Sequence, residues 1–92
     1  MDKFTLEVEI TMAAEKALNE EFNDENILAV TRLLGDYILV LDNENEKRKY
    51  TAQAMDLAIY GIQSNKRYNQ KYCKNILKEL SKLVISTATF QF

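Results

Sequence analysis

From Phe4 to Met12 apolar and polar positions alternate without a break: Phe4, Leu6, Val8, Ile10 and Met12 against Thr5, Glu7, Glu9 and Thr11. A period of two predicts a half-buried strand, whose successive side chains point to opposite faces. Thr11 then stands where it would cap a helix over 12–22, with Glu15 near that helix's positive end. Ala14, Ala17, Leu18 and Phe22 form its apolar stripe. After Asn23-Asp24 the pattern resumes at helical spacing, through Ile27, Val30 and Leu34. Gly35 is a natural C-terminal stop.

The stretch Tyr37-Ile38-Leu39-Val40-Leu41 reads two ways. Its β-branched and aromatic content suits a buried strand, with a polar turn at 42–46 and a partner strand near 48–52. Leu34, Ile38 and Leu41 also fit a continuing helix. Gly35 favours the hairpin. Residues 52–64 return to helix, with Met55, Ala58, Ile59 and Ile62 facing inward, and Ser64-Asn65 marks a break. The clearest helix spans 66–83, where Cys73, Ile76, Leu77, Leu80 and Leu83 share one face. Thr87 to Phe92 alternates again and predicts a closing strand, whose Phe90 and Phe92 are candidates for an interface or for anchoring against Phe4.

Together these elements predict one α+β domain over 1–92. About four helices cover a small sheet made of the N-terminal strand, the 37–52 hairpin and the C-terminal strand. The alternative is an all-α helical bundle. Ninety-two residues, 47% of them hydrophobic, build a real but small core. Self-association would help it, so a homo-oligomer is expected.

Charge changes the picture more than composition does. Residues 1–46 carry a net charge of −9 and residues 47–92 carry +7, so the total of −2 conceals a divided chain. Such asymmetry points to charged partners. In the basic half, Arg67, Lys71, Lys74, Lys78 and Lys82 recur at helical spacing opposite the Cys73 face. Tyr50, Tyr60, Tyr68 and Tyr72 lie in the same half. Lysine with tyrosine suits a phosphate-bearing ligand, with charge for the backbone and rings for stacking; Tyr68 joins the stripe as its candidate ring. The plainer reading is a solvated outer face. In the acidic half, Glu7, Glu9, Glu20, Glu21, Asp24 and Glu25 form either a face that docks on a basic groove or a guard against edge-to-edge pairing.

The chemistry of catalysis is sparse. Histidine, the commonest general base and metal ligand, does not occur. The single cysteine, Cys73, falls on the apolar face of its helix and reads as core. Asp42, Glu44 and Glu46 alternate with asparagines but lack the glycine and the terminal glutamate of a calcium loop. No catalytic residue, metal or cofactor is expected. The start of the chain lacks the apolar run of a signal peptide, and no stretch approaches the roughly 20 apolar residues of a membrane span. One cysteine and no leader predict a cytoplasmic protein without a membrane partner.

The function expected is that of a small non-enzymatic binding protein, an inhibitor or adaptor acting by protein–protein contact through charged surfaces. Small acidic chains rich in Asn, Lys, Ile and Glu are common among phage and mobile-element products that block host nucleic-acid or defence machinery. The alternative is a nucleic-acid or nucleotide binder using the Lys/Arg/Tyr-rich second half. In that reading 52–64 and 66–83 resemble a helix-turn-helix, without its usual glycine. A purely structural subunit is the third class.

Overall fold

The computed structural model describes residues 1–62 and 67–90, without the side chains of Arg67, Tyr68, Ala88, Thr89 and Phe90. All regular structure in it is helical, so the α+β expectation is overturned in favour of the helical bundle. Helix α1 is Lys3–Glu15 and continues through a π-helical turn, Lys16–Glu20. Helix α2 is Asp24–Val40; α3 is Glu44–Asp56 and runs on as π-helical Leu57–Ile62. Helices α4 and α5 are Arg67–Leu80 and Leu83–Phe90.

The alternating stretch forms α1 because a period-two set also contains a four-residue repeat. Leu6 and Ile10 go inward with Ala14, while Phe4 and Met12 stay on the outside. The Asp2 carboxylate starts the helix by accepting from the Thr5 amide at 2.7 Å. Glu7 and Thr11, expected on a solvated face, are buried instead, with 4% and 7% of their surface exposed. Both are satisfied there. Thr11 donates back to the Glu7 carbonyl at 2.9 Å, and the Glu7 carboxylate accepts from Tyr37.

The 37–52 hairpin is corrected as well. Tyr37 to Val40 is the last turn of α2, and the helix passes through Gly35 without stopping. Asn23 opens α2 by accepting from the Asn26 amide at 2.8 Å, and Asp24 and Glu25 lie in its first turn. Tyr37, fully buried, serves this helix as its inward residue one turn after Leu34. The second proposed strand is α3, opened by Asn43, which accepts from the Glu46 amide at 3.0 Å.

In the 52–64 segment the inward face continues from Tyr50 and Ala54 at helical spacing. Leu57 and Gly61 are buried, whereas Met55 and Ile59 stand 56% and 49% exposed. Of the expected inward residues, Ile62 packs against the core and Ala58 is half-buried, whereas Met55 and Ile59 face outward. The 66–83 helix is correct in face but ends at Leu80; Leu83 is buried at the start of α5. Residues 83–90 are helical where the closing strand was expected. The Ser64-Asn65 break and Phe92 lie outside the described residues, as does the side chain of Phe90, while Phe4 is 64% exposed.

The core runs from Leu6 and Ile10 of α1, through Ile27, Val30, Leu34 and Tyr37 of α2, to Cys73, Leu77 and Leu80 of α4. Helix α5 lies against α1, held by Leu83 and two polar contacts. The Val84 amide donates to Thr11 Oγ1 at 3.1 Å, and Thr87 Oγ1, which shares its one proton with the nearer Leu83 and Val84 carbonyls at 3.1 Å, lies 3.4 Å from Glu7 Oε1.

Candidate interaction surfaces

Helix α4 is amphipathic in the simplest sense: Cys73, Ile76, Leu77 and Leu80 are buried, and the lysines are on the other side. Lys71, Lys74 and Lys78 are exposed along it, with Lys82 exposed in the turn that follows. Arg67 and Tyr68 begin the helix, but their side chains lie outside the described set. None of the four lysines makes an ion pair among the described residues. The chain's ion pairs in that set are Lys47–Glu44 at 3.6 Å and Lys49–Glu79 at 2.9 Å.

The acidic residues divide. Glu7 is inside the protein and Glu9 is half-buried. Glu20, Glu21, Asp24 and Glu25 are all exposed, and they form one corner where α1 turns into α2. That corner is braced by Asn26, whose side-chain amide donates to the Glu21 carbonyl at 2.8 Å. Phe22 sits in the middle of it, and the ammonium of Lys74 lies 5.1 Å from the centre of the Phe22 ring. The fold thus sets the acidic corner against the middle of the lysine stripe. Phe22 of the corner and Lys74 of the stripe, far apart in sequence, meet in space.

A second feature lies between α3 and α4, which polar side chains bridge. Tyr72 Oη donates to Asp56 Oδ2 at 2.6 Å, and the Tyr72 ring meets Tyr60 edge to face at 5.9 Å. That hydrogen bond holds the Tyr72 proton and raises its pKa above the ordinary tyrosine value. Further along, Gln53 Nε2 donates to Glu79 Oε2 at 3.4 Å, beside the Lys49–Glu79 pair. The other polar side-chain atom of Gln53, Oε1, is buried with no hydrogen-bond donor among the described residues. Asp56, Tyr60, Asn69 and Tyr72 line a cavity of about 250 Å³, and Asp56 and Tyr72 are shared with its continuation past Gln53, Asn75 and Glu79.

Sequence reading missed this groove. Asp56 and Gln53 are isolated polar residues on a helix, and neither type at such a position carries a signature. The adjacent tyrosines, Tyr60 and Tyr72, were the available signal. Tyr50 is different: it is buried edge to face against Tyr37 at 5.2 Å and belongs to the core.

Cys73 is fully buried, and loss of solvation pushes its thiol pKa up, opposite to what a nucleophile needs. Among the described residues, no group of three or more Cys, Asp or Glu side chains is arranged to hold a metal ion, and no helix is long and apolar enough to cross a membrane. No protein-family model, curated protein or solved structure matches the chain.

Proposed function

We propose that this chain is a non-enzymatic binding protein that acts by protein–protein contact through a surface carrying both charges. The observation that carries this reading is the seat of Lys74 on Phe22, a residue of the same corner that bears the exposed Glu20, Glu21, Asp24 and Glu25. A nucleic acid gains affinity by having its phosphates neutralised, so carboxylates along the same face work against it. A protein with an acidic patch next to a basic one gains at both. Inhibition or adaptation of a larger machine is the role such a surface serves, and the phage or mobile-element setting inferred from composition suits it. The lone thiol of Cys73 fits a reducing compartment such as the cytoplasm. Exposed Phe4, Met12 and Leu39 support self-association, which sedimentation would show as a species heavier than 10.7 kDa.

The test is capture from a host lysate, with and without nuclease, by the native chain and two charge-reversed forms. One form carries Lys71→Glu and Lys78→Glu; the other carries Glu20→Lys, Glu21→Lys and Glu25→Lys. The proposal expects a nuclease-resistant protein that both reversals weaken. A nuclease-sensitive catch, lost on reversing the lysines and strengthened on reversing the acids, would overturn it.

A further inference from the structure

We infer that the groove between α3 and α4 receives an arginine side chain from an extended segment of the protein partner. The inference rests on the reading of this chain as a protein binder and adds a second, chemically specific contact to it.

The argument starts from what the groove offers. Tyr60 and Tyr72 are 41% and 40% exposed at its mouth, two rings in contact that still present surface to a ligand. Paired, partly exposed tyrosines are what protein interfaces favour, because a rigid ring gives contact area at small entropic cost. Asp56 stands beside them with one oxygen engaged by Tyr72 at 2.6 Å and the other without a donor among the described residues. A carboxylate flanked by aromatic rings selects a cation. A planar guanidinium matches it better than an ammonium, since it stacks on rings while donating to the carboxylate.

The groove's continuation supplies acceptors for the rest of the segment. Gln53 Oε1, in its wall, has no donor among the described residues, an uncommon state for a buried atom, and a segment reaches it once the Gln53 side chain turns toward the groove. Asn75 lines the same stretch, able to give and accept hydrogen bonds along a peptide backbone. Glu79 is already neutralised by Lys49 at 2.9 Å. Asp56 is thus the carboxylate at the aromatic end whose charge no described lysine or arginine meets.

The probe is the short peptide acetyl-Ala-Arg-Ala-amide, titrated into the isotope-labelled native chain and followed by two-dimensional NMR. Its control is the same peptide with citrulline, which keeps the shape of arginine and removes the charge. Saturable shifts are expected at the amides of Asp56, Tyr60 and Tyr72 at millimolar peptide, and none with citrulline. Asp56→Asn should weaken binding by about tenfold or more, consistent with loss of a charge-assisted contact. Equal shifts from the two peptides, or no saturable shift from the arginine peptide, would overturn the inference without relying on any variant. The probed residues Asp56, Tyr60 and Tyr72 are not among those the charge reversals change, although Asn75 and Glu79 of the groove's continuation also line a cleft with Lys78 and Lys82. Partner capture that survives without arginine binding therefore sinks the groove and leaves the proposed function standing. Arginine binding without partner capture leaves the guanidinium chemistry of the groove standing and removes the protein partner that was to supply it.

Discussion

Tyr37 donates its hydroxyl proton to Glu7 Oε2 at 2.7 Å, across 30 residues of chain, and neither side chain is open to solvent. Thr87 approaches the other oxygen of the same carboxylate at 3.4 Å, so one buried acid ties α1 to α2 and faces α5. A hydrogen bond to a charged group contributes about 1.5–3 kcal/mol, and a buried carboxylate stripped of its donor costs at least as much. Tyr37→Phe should therefore lower the unfolding free energy by about 2–3 kcal/mol. Glu7→Leu combined with Tyr37→Phe should cost less than the two single changes summed, because no charge is then stranded. Urea unfolding of the four proteins checks this, and additive costs would refute the pairing.

Burial first, and the bond to Glu7 second, raise the Tyr37 pKa well above the ordinary value of 10.0. Burial likewise raises that of Tyr50. A group whose folded pKa is raised holds its proton more tightly when folded. Its stability contribution is complete below the unfolded pKa and declines as pH rises past it. Unfolding free energy should begin to fall near pH 9, where the buried Cys73 thiol ionises more readily in the unfolded chain, and fall more steeply past about pH 10, by roughly 1.4 kcal/mol per pH unit for each such tyrosine. Tyr37→Phe should make that fall shallower. Tyrosinate absorbance followed alongside unfolding checks it: ionisation of all five tyrosines near the ordinary value in the folded chain would contradict the burial described.

The two glycines make opposite predictions. At Gly61 an added methyl would meet Cys73 Sγ and two carbons of Ile27, each at 3.3 Å. Ile27 and Cys73 are themselves buried, so neither has room to move. At Gly35 an added methyl meets nothing within 4 Å, on a helical backbone that alanine prefers. Gly35→Ala should stabilise by about 0.5–1 kcal/mol. Gly61→Ala should destabilise by about 1–2 kcal/mol, and Cys73→Ala in the same chain should recover part of that loss. Thermal melts of the set decide it.

What was legible in the chain follows from which patterns have one reading. The α4 stripe was visible because lysines at spacings of three and four, opposite Cys73, Ile76 and Leu80, fit a helix and no other element. The α1 stretch was not, because alternation places apolar residues both two and four apart, and the second spacing also makes a helical face. The tie-breaker lay in Asp2, whose cap on Thr5 opens a helix. Gly35 misled for a related reason: glycine ends helices where its freedom is needed, and here the backbone does not use it. The acidic corner was readable as a run of acids. Its nearness to Lys74 depends on tertiary packing around Phe22, which no local spacing encodes.

Thr11 shows the same limit in a form that can be measured. As read from the chain, it caps the helix that follows it. In the fold it lies inside α1 and its hydroxyl accepts from the Val84 amide at 3.1 Å, in the first turn of α5, while donating to the Glu7 carbonyl. It is a helix cap supplied by another helix, 73 residues away. The first amides of any helix lack intrahelical acceptors, and a side-chain oxygen that meets one contributes about 1 kcal/mol, within a range of about 0.5–2. Thr11→Val keeps the shape and removes the acceptor. It should cost about 1–2 kcal/mol and expose the Val84 amide to hydrogen exchange more than the amides of α2. Thr11→Ser restores the oxygen and should recover most of both. Equal protection of Val84 in the native and Thr11→Val chains would show that α5 is held by Leu83 and its other packing contacts, and that the cap is incidental.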